Sequence, residues 1–539
     1  MKLYDKYFKD YLELNPELGS IMGIKKYHKF YTNTLSDEYI NKNKQLSKKY
    51  IQLLSKLDNS EKNFDIFYNV FNYHLHQELN YYKFKFYLMP LNPTDNAISD
   101  FIEIVSGKGH IELKTDQNYT DMIYKIKDFC KWIDTAIIRM KEGIQTKNVI
   151  SKRQCEAIID DIKSALKSRV YLHEYPSNID KNIKIRFTNA INKILEPKIR
   201  EILDFLIYEY YCKCSDREGI KYLPSGLEMY KYCVDLHTTQ FDLSIEEIHK
   251  IGLSEVKRIY KEMLSIQKKL GFNGSLKNFQ DALKQNNNNF FKNEKDLLNR
   301  YREIRSEINE NIMKKYFIDK VSHDYVLKSI PKFKESSTSA YYIMSSYDLK
   351  RKGVFYYDSS NLKGNPKNEM YVLSLHEGNP GHHYQITYCI DNKIPKFLFY
   401  LMENNAYAEG WALYCENFMD KSNLLEWYGK LNYEIMRSVR LVIDTGIHYY
   451  GWDFKKAYDY YNKYVFTTEK EAKSEILRYI SLPGQALSYK IGEIYIKNLY
   501  FKLLNKTPDM DFSKRLQFFH HNILKFGPLP LYILKHLFD

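Results

Sequence analysis

Apolar residues recur at spacings of three and four along most of the 539-residue chain, which is the mark of helices with one buried face. Within 1–90, Ile51, Leu54 and Leu57, then Phe64, Phe67, Val70 and Phe71, trace such faces with few glycines or prolines between them. Met89-Pro90-Leu91-Asn92-Pro93 closes that run, because proline has no N–H to give to a helical ladder. Helical patterning resumes over 119–170 and 180–212, with Pro176-Ser177-Asn178 and Pro197 as punctuation. Ser244 followed three residues later by Glu247 predicts a capping box and a helix running to about Leu270. Gly271-Phe272-Asn273-Gly274-Ser275 and the Asn286–Asn289 run predict exposed turns.

Between about 325 and 370 the period changes. Tyr325-Val326-Leu327 and Gly353-Val354-Phe355-Tyr356-Tyr357 predict short extended segments, with Ser336-Ser337-Thr338-Ser339-Ala340-Tyr341-Tyr342 separating them. After 370 the helical pattern continues to the end. The chain reads as mainly α with a small β element: one domain over 1–539, mostly helical through 325, with the chemistry gathered in 326–539.

That chemistry centres on Leu375-His376-Glu377-Gly378-Asn379-Pro380-Gly381-His382-His383. In an ordinary H-E-x-x-H helix two histidines four residues apart bind zinc and the glutamate acts as general base. Here Pro380 stands where the second ligand would be. A straight helix would bring His383 back to the face of His376 but roughly 10 Å along the axis, too far for one ion with Zn–N bonds of about 2.0–2.1 Å. If Pro380-Gly381 bulge out as an insertion, His382 takes the vacant place; His383 remains the alternative ligand. Glu409, 27 residues beyond His382, is the expected third ligand, reached by a turn at Asn392-Lys393-Ile394-Pro395. Gly410 is expected to let the metal come close. Glu416, seven residues after Glu409, lies on the same face and is expected to hydrogen-bond a ligating histidine. One zinc ion per chain follows, with its fourth position kept for water and Glu377 as the base.

His376 through His383, together with Glu409-Gly410-Trp411-Ala412-Leu413-Tyr414, resembles the bacterial domain-of-unknown-function family numbered 885, grouped with the gluzincin metallopeptidases. Asp444-Thr445-Gly446-Ile447-His448 with Gly451-Trp452, Arg478-Tyr479, and Pro483-Gly484-Gln485-Ala486-Leu487-Ser488-Tyr489-Lys490-Ile491-Gly492 extend the likeness. Leu14-Asn15-Pro16-Glu17, Phe519-His520 and Gly527-Pro528-Leu529-Pro530-Leu531 carry it over nearly the whole chain, with Cys415 departing from the small residue expected there. The resemblance implies an all-helical zinc hydrolase related to the oligopeptidases and M-type carboxypeptidases: a two-lobed body around a channel, with the β element beside the zinc helix. In such enzymes a short strand there holds the substrate backbone as an added strand. The resemblance brings no substrate with it.

It also points to His448 and Tyr489 as donors to the oxyanion of a tetrahedral intermediate. On the residues alone, a histidine in an apolar helix is more often a packed core residue, and Tyr489 is one of 50 tyrosines. Arg437, Arg440, Arg478 and Lys490 are cations close to these motifs and candidates for a substrate carboxylate, with helix salt bridges the ordinary alternative. Tyr341 joins Arg440, Arg478 and Lys490 as a substrate-binding candidate.

The net charge of +14, from 81 basic and 67 acidic residues, suggests acidic partners. No run of five or six basic residues occurs, however, and no nucleic-acid module is visible, so nucleic acid is not an expected partner. Seven scattered cysteines, an odd number, do not suggest a disulfide framework, and a reducing compartment is expected. The first ten residues lack an apolar core, and no apolar stretch reaches membrane-spanning length. The expectation is a cytoplasmic zinc metallopeptidase for short peptides, with a peptide as its partner and no membrane. Rival readings are a zinc hydrolase of esters or non-peptide amides and a catalytically inactive binding protein; an intact Glu377 speaks against the second.

Overall fold

The computed structural model describes residues 2–57, 66–169, 171–172, 174–330, 340–402 and 404–538; Phe64 and Ser336–Ser339 of the sequence reading lie outside them. The described chain is mainly helical with one small sheet. It divides into two compact units. One comprises Met1–Tyr232, Ile447–Phe454 and Ser474–Leu482; the other comprises Cys233–Gly446, Lys455–Lys473 and Pro483–Asp539. This division cuts the chain elsewhere than residue 325, because late segments return to the early unit.

The first unit is built around helix α1 (Asp116–Thr146), started by a reciprocal cap between Thr115 and Asn118. Its apolar face buries Met122, Ile126, Phe129, Ile133, Ala136 and Met140 at spacings of three and four, and Phe129 stacks on Phe101 at 3.8 Å. Fully burying a side chain of this size is worth about 1.5–3 kcal/mol. Pro197 does not end its helix: a wider π turn at Ile191–Leu195 stands directly ahead of it and the helical path continues through Glu196–Phe205.

The second unit holds His376, His382 and Glu409. Helix α2 (Ile245–Lys269) begins at Ser244, whose side chain and that of Glu247 cap each other's backbone N–H groups as the sequence predicts. Three strands, β1 (Val326–Ser329), β2 (Ala340–Ile343) and β3 (Val354–Tyr357), form a sheet in the order β1-β3-β2, with β1 parallel and β2 antiparallel to β3. β1 and β3 are the predicted segments; β2 lies in the stretch expected to separate them. Helix α3 (Lys367–Glu377) runs beside β2. Then come α4 (His382–Asp391), α5 (Asn405–Cys415), α6 (Leu424–His448) and α7 (Ser488–Lys506).

Helices α5 and α7 meet backbone to backbone. A Cβ on Gly410 would stand 2.4 Å from the carbonyl carbon of Gly492, and one on Gly492 would stand 2.0 Å from the Ala406 carbonyl oxygen. Gly410 therefore serves helix contact, not the close approach of a metal. Among the described residues no helix is long and apolar enough to cross a membrane.

Candidate metal centre

The expected bulge within one helix is instead a full break. α3 stops at Glu377, and Gly378 and Gly381 take non-helical conformations (φ −95°, ψ −128° and φ −72°, ψ −132°) before α4 starts at His382. Pro380 cannot continue the ladder, and the turn folds back on the last turn of α3. A Cβ on Gly381 would lie 1.9 Å from the His376 carbonyl oxygen, so only glycine fits. The Trp411 indole N–H donates to the Pro380 carbonyl at 2.8 Å, fastening this turn to α5, which also carries Glu409.

The fold-back sets the His376 and His382 rings 4.8 Å apart and perpendicular. Glu409 Oε2 stands 3.5 Å from His376 Nε2 and 3.6 Å from His382 Nε2, and all three donor atoms lie within 4.8 Å of one another. Ligands about 2.0–2.1 Å from a tetrahedral zinc are about 3.3 Å from each other. The observed separations are close to that edge and long for hydrogen bonds. Glu409 Oε2 is buried with no hydrogen-bond partner, an arrangement that is costly unless a cation completes it. Glu416 Oε1 accepts from His376 Nδ1 at 2.9 Å, which fixes the proton there and leaves Nε2 with a lone pair toward Glu409.

Without a metal the surrounding carboxylates favour a proton on His376 Nε2, which a divalent ion would displace. Burial works against a charged His376, yet Glu409, Glu416 and Glu377 around it push the imidazole up to about 10. Burial also opposes ionisation of Glu409, but His376 and His382 hold its carboxyl well below the usual range. The donor set of two imidazoles and one carboxylate fits a divalent metal. Glu377, the last residue of α3, is half-buried beside His376.

His383 points elsewhere. It is fully buried, its Nδ1 accepting from the Tyr342 hydroxyl at 2.9 Å and its Nε2 donating to the His323 carbonyl at 3.1 Å. His448 belongs to the first unit and is fully buried. Its Nδ1 accepts from the Ile220 N–H at 3.1 Å and its Nε2 donates to the Tyr479 carbonyl at 2.8 Å. Both nitrogens are spent, so the expected oxyanion donor is corrected to a core residue that ties backbone segments together.

Tyr489 lies in the first turn of α7, three residues before Gly492, with the Arg440 guanidinium 4.4 Å from its ring centre. Lys490 is not available to a substrate: it is buried and paired with Glu434 at 2.7 Å, Glu493 at 2.8 Å and Glu255 at 3.0 Å. Arg478, in the first unit, stands 3.6 Å from Glu475. Tyr341 stacks on Tyr356 at 5.1 Å, on the face of β2 opposite Tyr342. Sequence reasoning missed the roles of Trp411 and Tyr342; the first stands beside Gly410 in the motif, and nothing local in the four-residue β2 marks the second.

A family model described as "Bacterial protein of unknown function (DUF885)" matches residues 16–537. No curated protein matches the chain. The fold is similar to the solved structure of the "putative lipoprotein from Colwellia psychrerythraea", with a TM-score of 0.86 and 22% identity over 99% of this chain and 97% of that one. It is also similar to "a putative lipoprotein of unknown function from Shewanella oneidensis", with a TM-score of 0.78 and 17% identity over 99% and 98%. At these identities the likeness concerns the fold alone. The cytoplasmic expectation is withdrawn, since two proteins that share the fold end to end are each described as a "putative lipoprotein", a description that belongs to them. A lipid anchor needs no spanning helix, so lacking one does not place a chain in the cytoplasm.

Proposed function

We propose, for a chain that belongs to the bacterial family of unknown function DUF885, the activity of a zinc-dependent hydrolase of peptide bonds in short peptides. The observation that carries the reading is the convergence of His376 Nε2, His382 Nε2 and Glu409 Oε2 within 4.8 Å, with a carboxylate, Glu377, next in sequence to the first ligand. Zinc held by these three residues would supply Lewis-acid polarisation and a lowered pKa for a bound water. Glu377 takes the proton from the attacking water and passes it to the leaving amine. Glu416 keeps His376 in its ligating tautomer. The Tyr489 hydroxyl is the remaining candidate donor to the developing oxyanion, now that His448 is withdrawn. β2 pairs with β3 on one side and is an edge strand among the described residues, the place where an extended peptide would add as a strand. The gluzincin kinship and the two-lobed, channelled body implied by the motifs belong to this same reading, as does the limit to short peptides.

Glu377→Gln tests it. Metal content should stay at the parent level while peptide turnover, read by mass spectrometry of a digested peptide library, falls about 10²–10⁴-fold. Near-normal turnover would exclude the mechanism. Tyr489→Phe should lower kcat about 10²–10³-fold with KM nearly unchanged; parent-like kinetics would make this tyrosine a packing residue.

A further inference from the structure

Helix α6 buries a guanidinium that makes no ion pair among the described residues, Glu369 lying only within electrostatic reach. Arg437 is 7% exposed, and its Nε is buried with no hydrogen-bond partner. Nη1 donates to the Tyr433 carbonyl one turn back at 3.3 Å, and the group lies 4.8 Å from the centre of the Tyr433 ring. No ion pair to Arg437 occurs among the described residues. Arg258, from α2, shows the contrast: it reaches the buried Glu434 at 2.6 Å. A buried cation with no ion-pair partner is costly, and a planar fork of donors matches a carboxylate with two parallel hydrogen bonds.

The helix that carries Arg437 packs on the helix that carries His376. α6 crosses α3 where a Cβ on Gly429 would stand 2.1 Å from the Asn368 carbonyl oxygen, and Asn432 donates to Glu369 at 3.1 Å. Glu369 precedes His376 by seven residues, two turns back on the same face of α3. Tyr433 is within electrostatic reach of Glu369, Arg437 and Glu416, the carboxylate that holds His376.

We infer that Arg437 binds a carboxylate of the peptide substrate, so that this protein selects peptides by an anionic group, a free C-terminus or an acidic side chain. The inference rests on the peptidase reading above. Three probes separate the sources: pentaalanine with a free C-terminal carboxylate, pentaalanine amide, and tetraalanyl-aspartyl amide. The zinc-loaded parent should cleave the acid about 10- to 100-fold better in kcat/KM than the plain amide, with the difference mainly in KM. An aspartyl amide handled as poorly as the plain amide assigns the C-terminus; one handled as well as the acid assigns the side chain. Arg437→Gln should remove the preference, so that the acid and the plain amide are cleaved with equal kcat/KM, and Arg437→Lys should restore part of it. Calorimetric titration of the Glu377→Gln protein with the acid and the plain amide gives the same comparison without turnover. Acid and plain amide treated alike by the parent would overturn the carboxylate site while the peptidase reading stood; this outcome decides even where the Arg437 variants fail to fold. No cleavage of any peptide would sink the reading and the inference together.

Discussion

Two clusters of buried charge lie in the same unit and are built to opposite rules. Around Lys490 every ion is answered: Lys490 meets Glu434, Glu493 and Glu255, Arg258 also meets Glu434, Lys430 closes on Glu434, and Lys497 on Glu493. Around His376 the answer is missing, since Glu409 Oε2 has no hydrogen-bond partner and two imidazoles face it at 3.5 and 3.6 Å. Carboxylates stay ionised in both places. Burial would raise Glu493, but Lys490 and Lys497 hold it at about 2. The difference is one of completeness: the first cluster neutralises itself with side chains and belongs to the fold, while the second turns lone pairs toward a common point and leaves room for a cation. A pair of buried histidines repeats the contrast, His448 with both nitrogens bonded to backbone and His376 with one nitrogen facing Glu409.

The largest substitution test of that contrast is Lys490→Met. It removes the buried cation that Glu434, Glu493 and Glu255 share, leaving Arg258, Lys430 and Lys497 as their partners, and should cost about 3 kcal/mol of stability, measured by urea unfolding, with bound metal unchanged. Metal loss at unaltered stability would erase the distinction between the clusters.

A second effect follows from the histidines of the core. Burial pushes His448 down to about 4 and His520 to about 3. In the unfolded chain they protonate near 6.5, so between about 6.5 and 4 unfolding takes up protons that the folded state refuses. Stability is therefore full above pH 6.5 and falls as pH drops, levelling off near 4 for His448 and near 3 for His520, by roughly 3 and 5 kcal/mol respectively. Unfolding midpoints that stay constant between pH 7.5 and 5 would contradict this. His448→Gln is the smallest change: loss of its two backbone hydrogen bonds should cost about 1–3 kcal/mol. Thermal unfolding measures it, and metal content should not move; a lost metal would return His448 to the site.

The ligand candidates were legible because His376, His382 and Glu409 are of ligand type and close in sequence, and Glu416 followed from helical spacing. The helix starting at Ser244 was legible because its cap is local chemistry. What failed depended on contacts between distant segments. Pro380-Gly381 announces an interrupted helix, but only the approach of Gly381 to the His376 carbonyl decides between a bulge and a break. Gly410 looked like a metal-side glycine until Gly492, far along the chain, proved to be its neighbour. β2 is four residues long, too short for alternation to declare itself. His448 stood inside a motif, and nothing local reveals that Ile220 and Tyr479 take both its nitrogens.

The central claim is that His376, His382 and Glu409 together hold one metal ion, and metal analysis of the purified protein after zinc loading and desalting tests it most directly. The account predicts about one zinc per chain in the parent and in His383→Ala, and little or none in His376→Ala, His382→Ala and Glu409→Ala. Full zinc in those three variants, or a loss confined to His383→Ala, would contradict it.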